Sequence, residues 1–106
     1  MISQDVIYEV KERLIQAAKP KKIILFGSYA SGNPNFDSDL DIMVVEQSVS
    51  NKFQEMIHLR RALRGLKIPV DIVVIAMHEY EKRSTVPGTI YYWAKKDGKI
   101  LYEEAA

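Results

Sequence analysis

The chain has 106 residues, 47% of them hydrophobic, and a formal net charge of +1. That length suits one domain over residues 1–106, built around one core, and leaves no room for two. Near-neutrality gives no general field for nucleic acid or membrane, and the absence of cysteine excludes disulfides and thiolate chemistry while suiting a reducing compartment.

The opening stretch "MISQDVIYEVKERL" mixes charges along an amphipathic pattern, so it reads as neither a signal peptide nor a membrane span. A soluble cytoplasmic protein is the expectation. From Asp5 to about Ala18, Val6, Val10 and Leu14 recur every four residues with Ile7 beside them, which predicts a helix with one buried stripe ended by Pro20. "KKIILFGS" predicts a short buried strand ending at Gly27. "ASGNPNFDS" is turn material, with room for a brief helical turn over Ser28 to Ser31. "LDIMVVEQ" predicts a second strand. A second long helix follows in "SVSNKFQEMIHLRRALRGL", with Phe53, Met56, Leu59 and Leu63 on one side and Ser50 as its cap. Gly65 and Pro69 mark its end. "IPVDIVVIA" predicts a third strand, "MHEYEKR" a short helix or loop, and "GTIYYWAKKDGKILYE" a short helix, a turn at Gly98 and a last strand. The expected class is α/β (α+β): a mixed four-stranded sheet with helices packed on it.

Within this frame the acids are out of place. Strand side chains alternate faces, so Asp39 and Asp41 are expected to point the same way while Leu40 and Ile42 point to the other. Asp71 opens another strand of Val and Ile. If the two strands are neighbours, three carboxylates converge. Such a cluster repels itself unless a cation compensates it. A hard divalent ion such as magnesium does so and also binds phosphate, and two such ions about 3.5–4 Å apart serve phosphoryl and nucleotidyl transfer. Gly27, after a strand, allows close backbone approach, and Ser28 offers a hydroxyl and an N–H to phosphate. Acids on edge strands also guard against sheet pairing. That plainer reading suits Asp37 well and Asp39 tolerably, but Asp71, enclosed by "IPV" and "IVVI", poorly.

Gly27-Ser28, then residues 29 to 38, then Asp39-Leu40-Asp41, with a further acid in "VDIVV", resembles the signature of the minimal nucleotidyltransferase domains of the DNA polymerase beta-like superfamily. The likeness runs from about Ile23 to Ile75, and the tail "GTIYYWAKKDGKILYE" is similar to the end of small bacterial and archaeal members. It implies the nucleotidyltransferase fold. It implies that Asp39, Asp41 and Asp71 are catalytic residues that hold Mg2+, Asp71 also preparing the acceptor hydroxyl. It further implies that Gly27 and Ser28 hold the phosphates of ATP or another nucleoside triphosphate. Small members are commonly paired with an all-helical HEPN-class protein, and some are antitoxins that transfer AMP to a tyrosine of that partner. Protein adenylylation within a toxin–antitoxin pair is therefore the leading expectation. The alternative is a catalytically inactive member that neutralises its partner by contact.

One departure stands out. Many antitoxin members read "GSRARG", whereas this chain reads "GSYASG", with Tyr29 and Ser31 in place of basic residues. Cationic contacts to the triphosphate would then come from Lys19, Lys21, Lys22 or a partner. With no acceptor domain in view, a partner, a second subunit or a small protein acceptor completes the site. Arg60, Arg61, Arg64 and Lys67 read as the solvated face of a helix, and direct nucleic-acid binding is not expected. Tyr91, Tyr92 and Trp93 suit a core or an interface. His58 and His78 lack metal-ligand spacing.

Overall fold

The computed structural model describes residues 1–105. Its elements run α1 (Gln4–Ala18), β1 (Lys22–Phe26), α2 (Ser28–Ser31), β2 (Leu40–Glu46), α3 (Lys52–Ala62), β3 (Val70–Ala76), α4 (Met77–Arg83), α5 (Ile90–Asp97) and β4 (Lys99–Glu103). The strands form one mixed sheet of order β3-β2-β1-β4, with β2 and β3 parallel and the other pairs antiparallel. No helix among the described residues is long and apolar enough to cross a membrane.

Helix α1 starts where Ser3 Oγ accepts from the Val6 N–H at 3.3 Å. Its buried stripe is Ile7, Val10 and Leu14, while Val6 is only half-buried. The i, i+3, i+7 spacing tracks a 3.6-residue turn more closely than strict fours. The helix ends on Lys19, which adopts a left-handed conformation (φ 49°). A residue before proline is pushed out of the right-handed helical region, and Pro20 does this here.

Helix α3 departs from expectation at its start. Asn51, not Ser50, is the cap, its Oδ1 accepting from the Gln54 N–H at 3.0 Å. Phe53, expected on the buried side, is 66% exposed in the first turn of the helix. Leu59 and Leu63 are buried as their spacing required. Polar ties hold α3 and the turn after it to α1: His58 Nε2 lies 3.0 Å from the Ala17 carbonyl, and Arg13 Nη1 donates to Arg64 O at 2.9 Å. "MHEYEKR" is helical, as α4.

The sheet is covered on both faces. Ile23, Leu25, Leu40, Ile42, Val44, Ile72 and Val74 pack with Ile7, Val10, Leu14 and Leu59 of α1 and α3. Ile24, Met43, Val45 and Ile75 pack with Tyr80 of α4 and Ala94 of α5. Burial from both sides is why β2 reads "IMVV" without a polar alternate. Gly98 lets α5 and β4 meet the sheet closely, since a Cβ there would collide with Ala94 O and lie 2.8 Å from Ile24 Cγ2.

Candidate active site

The site forms where β1 ends and β2 and β3 begin. Parallel pairing sets Asp41 directly beside Asp71, and antiparallel pairing sets Phe26 on the other side of Asp41. Residues at alternate positions along these strands, Met43, Val45, Val73 and Ile75, belong to the α4/α5 face, so Asp41, Asp71 and Phe26 share that face. Leu40 N–H donates to Pro69 O at 2.9 Å and secures the first rung of the β2–β3 pair.

Gly27 turns the chain out of β1 with φ 73° and ψ −154°, a region open in practice only to glycine. The second reason for glycine is spatial: a Cβ at this position would collide with Asp41 Oδ2. The Asp41 carboxylate therefore lies over the Gly27-Ser28 turn. The N–H groups of Ala30 and Ser31 both donate to Gly27 O at 3.1 Å. Those of Ser28 and Tyr29 precede the first intrahelical bond and have no acceptor within α2.

Asp41 is crowded. Burial, then Asp71, then Asp39 push its carboxyl above the usual carboxylate range. Asp39 lies just outside the strand. Strand β2 begins only at Leu40, so pleat alternation does not govern Asp39, and its side chain lines a cavity with Arg60, Leu63 and Val70 at the sheet edge. Among the described residues no three acid, histidine or cysteine side chains stand in a ready-made metal cage. The donor set nonetheless fits a hard divalent cation. It offers a half-buried carboxylate crowded by two others, and Asp39 and Asp71 are exposed enough to rotate towards an ion while keeping water on it.

Three residues carry roles that sequence reading did not anticipate. Tyr29, at the position where a basic residue was the family expectation, accepts through its hydroxyl from the Ile2 N–H at 3.0 Å. Arg60 is not merely solvated: its Nη2 donates to Val70 O at 2.9 Å, next to Asp71. Trp93, with Ile90, Phe26, Gly27 and Asp97, lines a cavity of about 370 Å3 on the α4/α5 face. Local patterns could not find these contacts, since each joins segments distant in sequence. Lys21 and Lys22, candidates for binding the triphosphate, instead pair with Glu104 (2.8 Å) and Glu103 (3.2 Å). They sit at the far end of β1, about 17–20 Å from Gly27 at strand rise.

Comparisons with known proteins bear on the family and the fold. The family described as polymerase beta, nucleotidyltransferase matches residues 8–105. A candidate protein adenylyltransferase of Methanocaldococcus jannaschii, MJ1379, is 32% identical over 93 residues, covering 83% of this chain and 92% of its own. Among solved structures, a nucleotidyltransferase-like protein of Sulfolobus solfataricus superposes with a TM-score of 0.66 at 24% identity, covering 94% of this chain and 79% of that one. A toxin–antitoxin complex with AMP-PNP gives 0.59 at 22% identity, with coverage of 92% and 73%. The fold is shared with both structures. On the extent of the family match and the identity to the curated relative, the chain belongs to the polymerase beta nucleotidyltransferase family.

Proposed function

We propose that this protein is a magnesium-dependent nucleotidyltransferase that moves AMP from ATP to a hydroxyl of a protein, as the antitoxin of a toxin–antitoxin pair. The observation that carries the reading is the register: Asp41 stands beside Asp71 on one side and over the Gly27-Ser28 turn on the other. Carboxylates for the ion and donors for the phosphates thus meet within one residue's reach. The relative described as a candidate protein adenylyltransferase and the fold shared with a toxin–antitoxin structure containing AMP-PNP support the choice of nucleotide, acceptor and partner. The partner is a small all-helical protein of the HEPN class.

In this mechanism Asp39, Asp41 and Asp71 hold magnesium, which supplies charge neutralisation for the phosphates. Gly27 lets the triphosphate approach the backbone, and the Ser28 hydroxyl and N–H bind its β- and γ-phosphates. Asp71, the most exposed member of the adjacent pair, faces the acceptor and takes its proton. The acceptor oxygen bonds to the α-phosphorus as the α–β phosphoanhydride breaks, and pyrophosphate leaves towards Ser28. Orienting both substrates is most of the catalysis, which is why a partner that presents the acceptor is needed.

One observation favours the second reading, a member that neutralises its partner by contact alone. Helix α2 reads SYAS and so brings no cation to the phosphates, and the Tyr29 hydroxyl accepts instead from the N-terminal segment. Coexpression with the adjacent reading frame, followed by incubation of the complex with ATP and Mg2+ and intact mass measurement, decides between them. Adenylyl increments on the partner that vanish with Asp41→Asn support the enzyme. A neutralised, unmodified partner in the presence of bound ATP supports the binder.

A further inference from the structure

The acids occupy only part of the α4/α5 face. Across β1 from them, Phe26, Ile90 and Trp93 wall a cavity of about 370 Å3 that reaches Gly27. This volume falls within the range of small-molecule sites, about 300–1,000 Å3. Trp93 and Ile90 remain 49% and 47% exposed, although the same face farther along the sheet is sealed. The indole is not loose: Tyr92 meets it edge-on, with centroids 5.3 Å apart and planes at 86°.

We propose that this cavity receives the base of the nucleoside triphosphate, a proposal that rests on the nucleotidyltransferase reading above. The sheet order decides between nucleotide and acceptor. Asp71, Asp41 and Phe26 stand in a row on β3, β2 and β1, and the cavity lies on the Phe26 side. In-line displacement puts acceptor and leaving group on opposite sides of the phosphorus. An acceptor prepared by Asp71 comes from the β3 side, so the leaving pyrophosphate lies towards the Gly27-Ser28 turn after β1, and the cavity adjoining that turn falls to the nucleotide rather than the acceptor. Of the nucleotide's parts only the base is flat and apolar enough for a wall of Phe26, Ile90 and Trp93.

A second feature narrows the base. Asp97 ends α5 at the cavity rim, where a negative charge opposes the helix dipole, and among the described residues it has no ion-pair partner. A carboxylate in that position accepts from an exocyclic amino group, as adenine carries. Inosine, with a carbonyl there, meets it with an acceptor instead.

Trp93 is the sole tryptophan, so its emission reads the cavity directly. The intact chain is titrated with ATP and with inorganic tripolyphosphate, both with Mg2+. The expected result is that both bind, that ATP binds tighter, and that only ATP changes the Trp93 emission. By calorimetry, Trp93→Leu weakens ATP about 5- to 150-fold, the range of base–aromatic stacking, and leaves tripolyphosphate affinity unchanged. Ile90→Ala weakens ATP in the same direction, and Asp97→Asn narrows the preference for ATP over inosine triphosphate. Equal affinities with silent Trp93 emission overturn the proposal while leaving the phosphate site standing. Undiminished ATP binding by Trp93→Leu also overturns it and assigns the face to a macromolecule. Failure of both ligands to bind overturns the nucleotidyltransferase reading and this one with it.

Discussion

The two ends of β2 each carry a half-buried acid, and the two acids are used differently. At the start, Asp41 is pushed above the usual carboxylate range by burial and by Asp71 and Asp39. At the end, Glu46 is pushed up to about 8 by burial and by Glu55 of α3. Asp41 opens onto the Gly27-Ser28 turn. Glu46 faces a cavity of about 200 Å3 lined by the β2–α3 loop, and its Oε2 is buried with no donor opposite it among the described residues. Crowded carboxylates alone therefore do not make a catalytic site; the difference lies in what else the backbone brings. One end has a glycine turn with free N–H groups and a second strand acid, the other a single helix acid and a loop.

The strongest way to break this contrast is to remove charge at one end. Asp41→Asn is expected to lower nucleotidyl transfer by at least a thousandfold, about 4 kcal/mol of transition-state stabilisation. It should leave the melting temperature unchanged or raised, because like-charge repulsion is relieved. Transfer assays beside thermal melts check both, and full activity in this variant would refute the assignment. Gly27→Ala comes next. It forces a side chain into the Asp41 carboxylate and into a backbone region costing about 1–3 kcal/mol. For a chain of this size that is a fall of roughly 4–8 °C in Tm per kcal/mol, measured by calorimetry. Nucleotide binding should be lost with it, since the turn that meets the phosphates moves.

At the other end the effect is on pH. The folded pKa of Glu46, about 8, lies above its ordinary value of 4.5, so the folded state holds a proton that the unfolded state has released across that interval. Stability is fully present below pH 4.5 as far as this group is concerned, and it is lost as pH rises through 8. Glu46→Gln is expected to flatten that decline and to raise Tm at pH 8.5 by a few degrees, leaving transfer activity unaltered. Denaturant melts at pH 5 and pH 8.5 test it; an unchanged pH slope would show that the Glu55 contact does not hold the proton. The smallest effect belongs to Arg60→Ala. It removes one hydrogen bond to the carbonyl beside Asp71 and is expected to cost about 0.5–1.5 kcal/mol of stability with a several-fold loss of transfer. Arg60→Lys should restore part of both.

The strands and long helices were legible because their signals are local. "IILF", "LDIMVVE" and "VDIVVIA" are apolar runs of strand length bounded by turns, and the spacing of Leu59 and Leu63 marks the buried side of α3. Local signals also misled. Ser50 and Asn51 are both good caps, and only the backbone angle of the loop selects Asn51. Phe53 looked like core by period but is exposed in the first turn of α3. At the site, the Gly-Ser and Asp-x-Asp spacing was readable, and the pairing of Asp41 with Asp71 followed once β2 and β3 proved to be neighbours. That β2 starts at Leu40, leaving Asp39 just outside it, was not readable, because a strand's first residue depends on its pairing with β3. The contacts of Tyr29 with Ile2 and of Arg60 with Val70, and the cavity shared by Trp93 and Phe26, were also out of reach, since each needs the order of the sheet and the placement of helices on it.

The bond from the Ile2 amide to Tyr29 ties the start of the chain to α2. That single amide is a natural hydrogen-exchange reporter on the phosphate turn, even though it lies outside the turn. Ligand that stiffens α2 should slow its exchange, whereas Tyr29→Phe should release it while leaving the ring's packing in place. The same tether argues for placing purification tags at the other terminus, because an extension pulling on Ile2 pulls on Tyr29 and, one residue further, on Ser28.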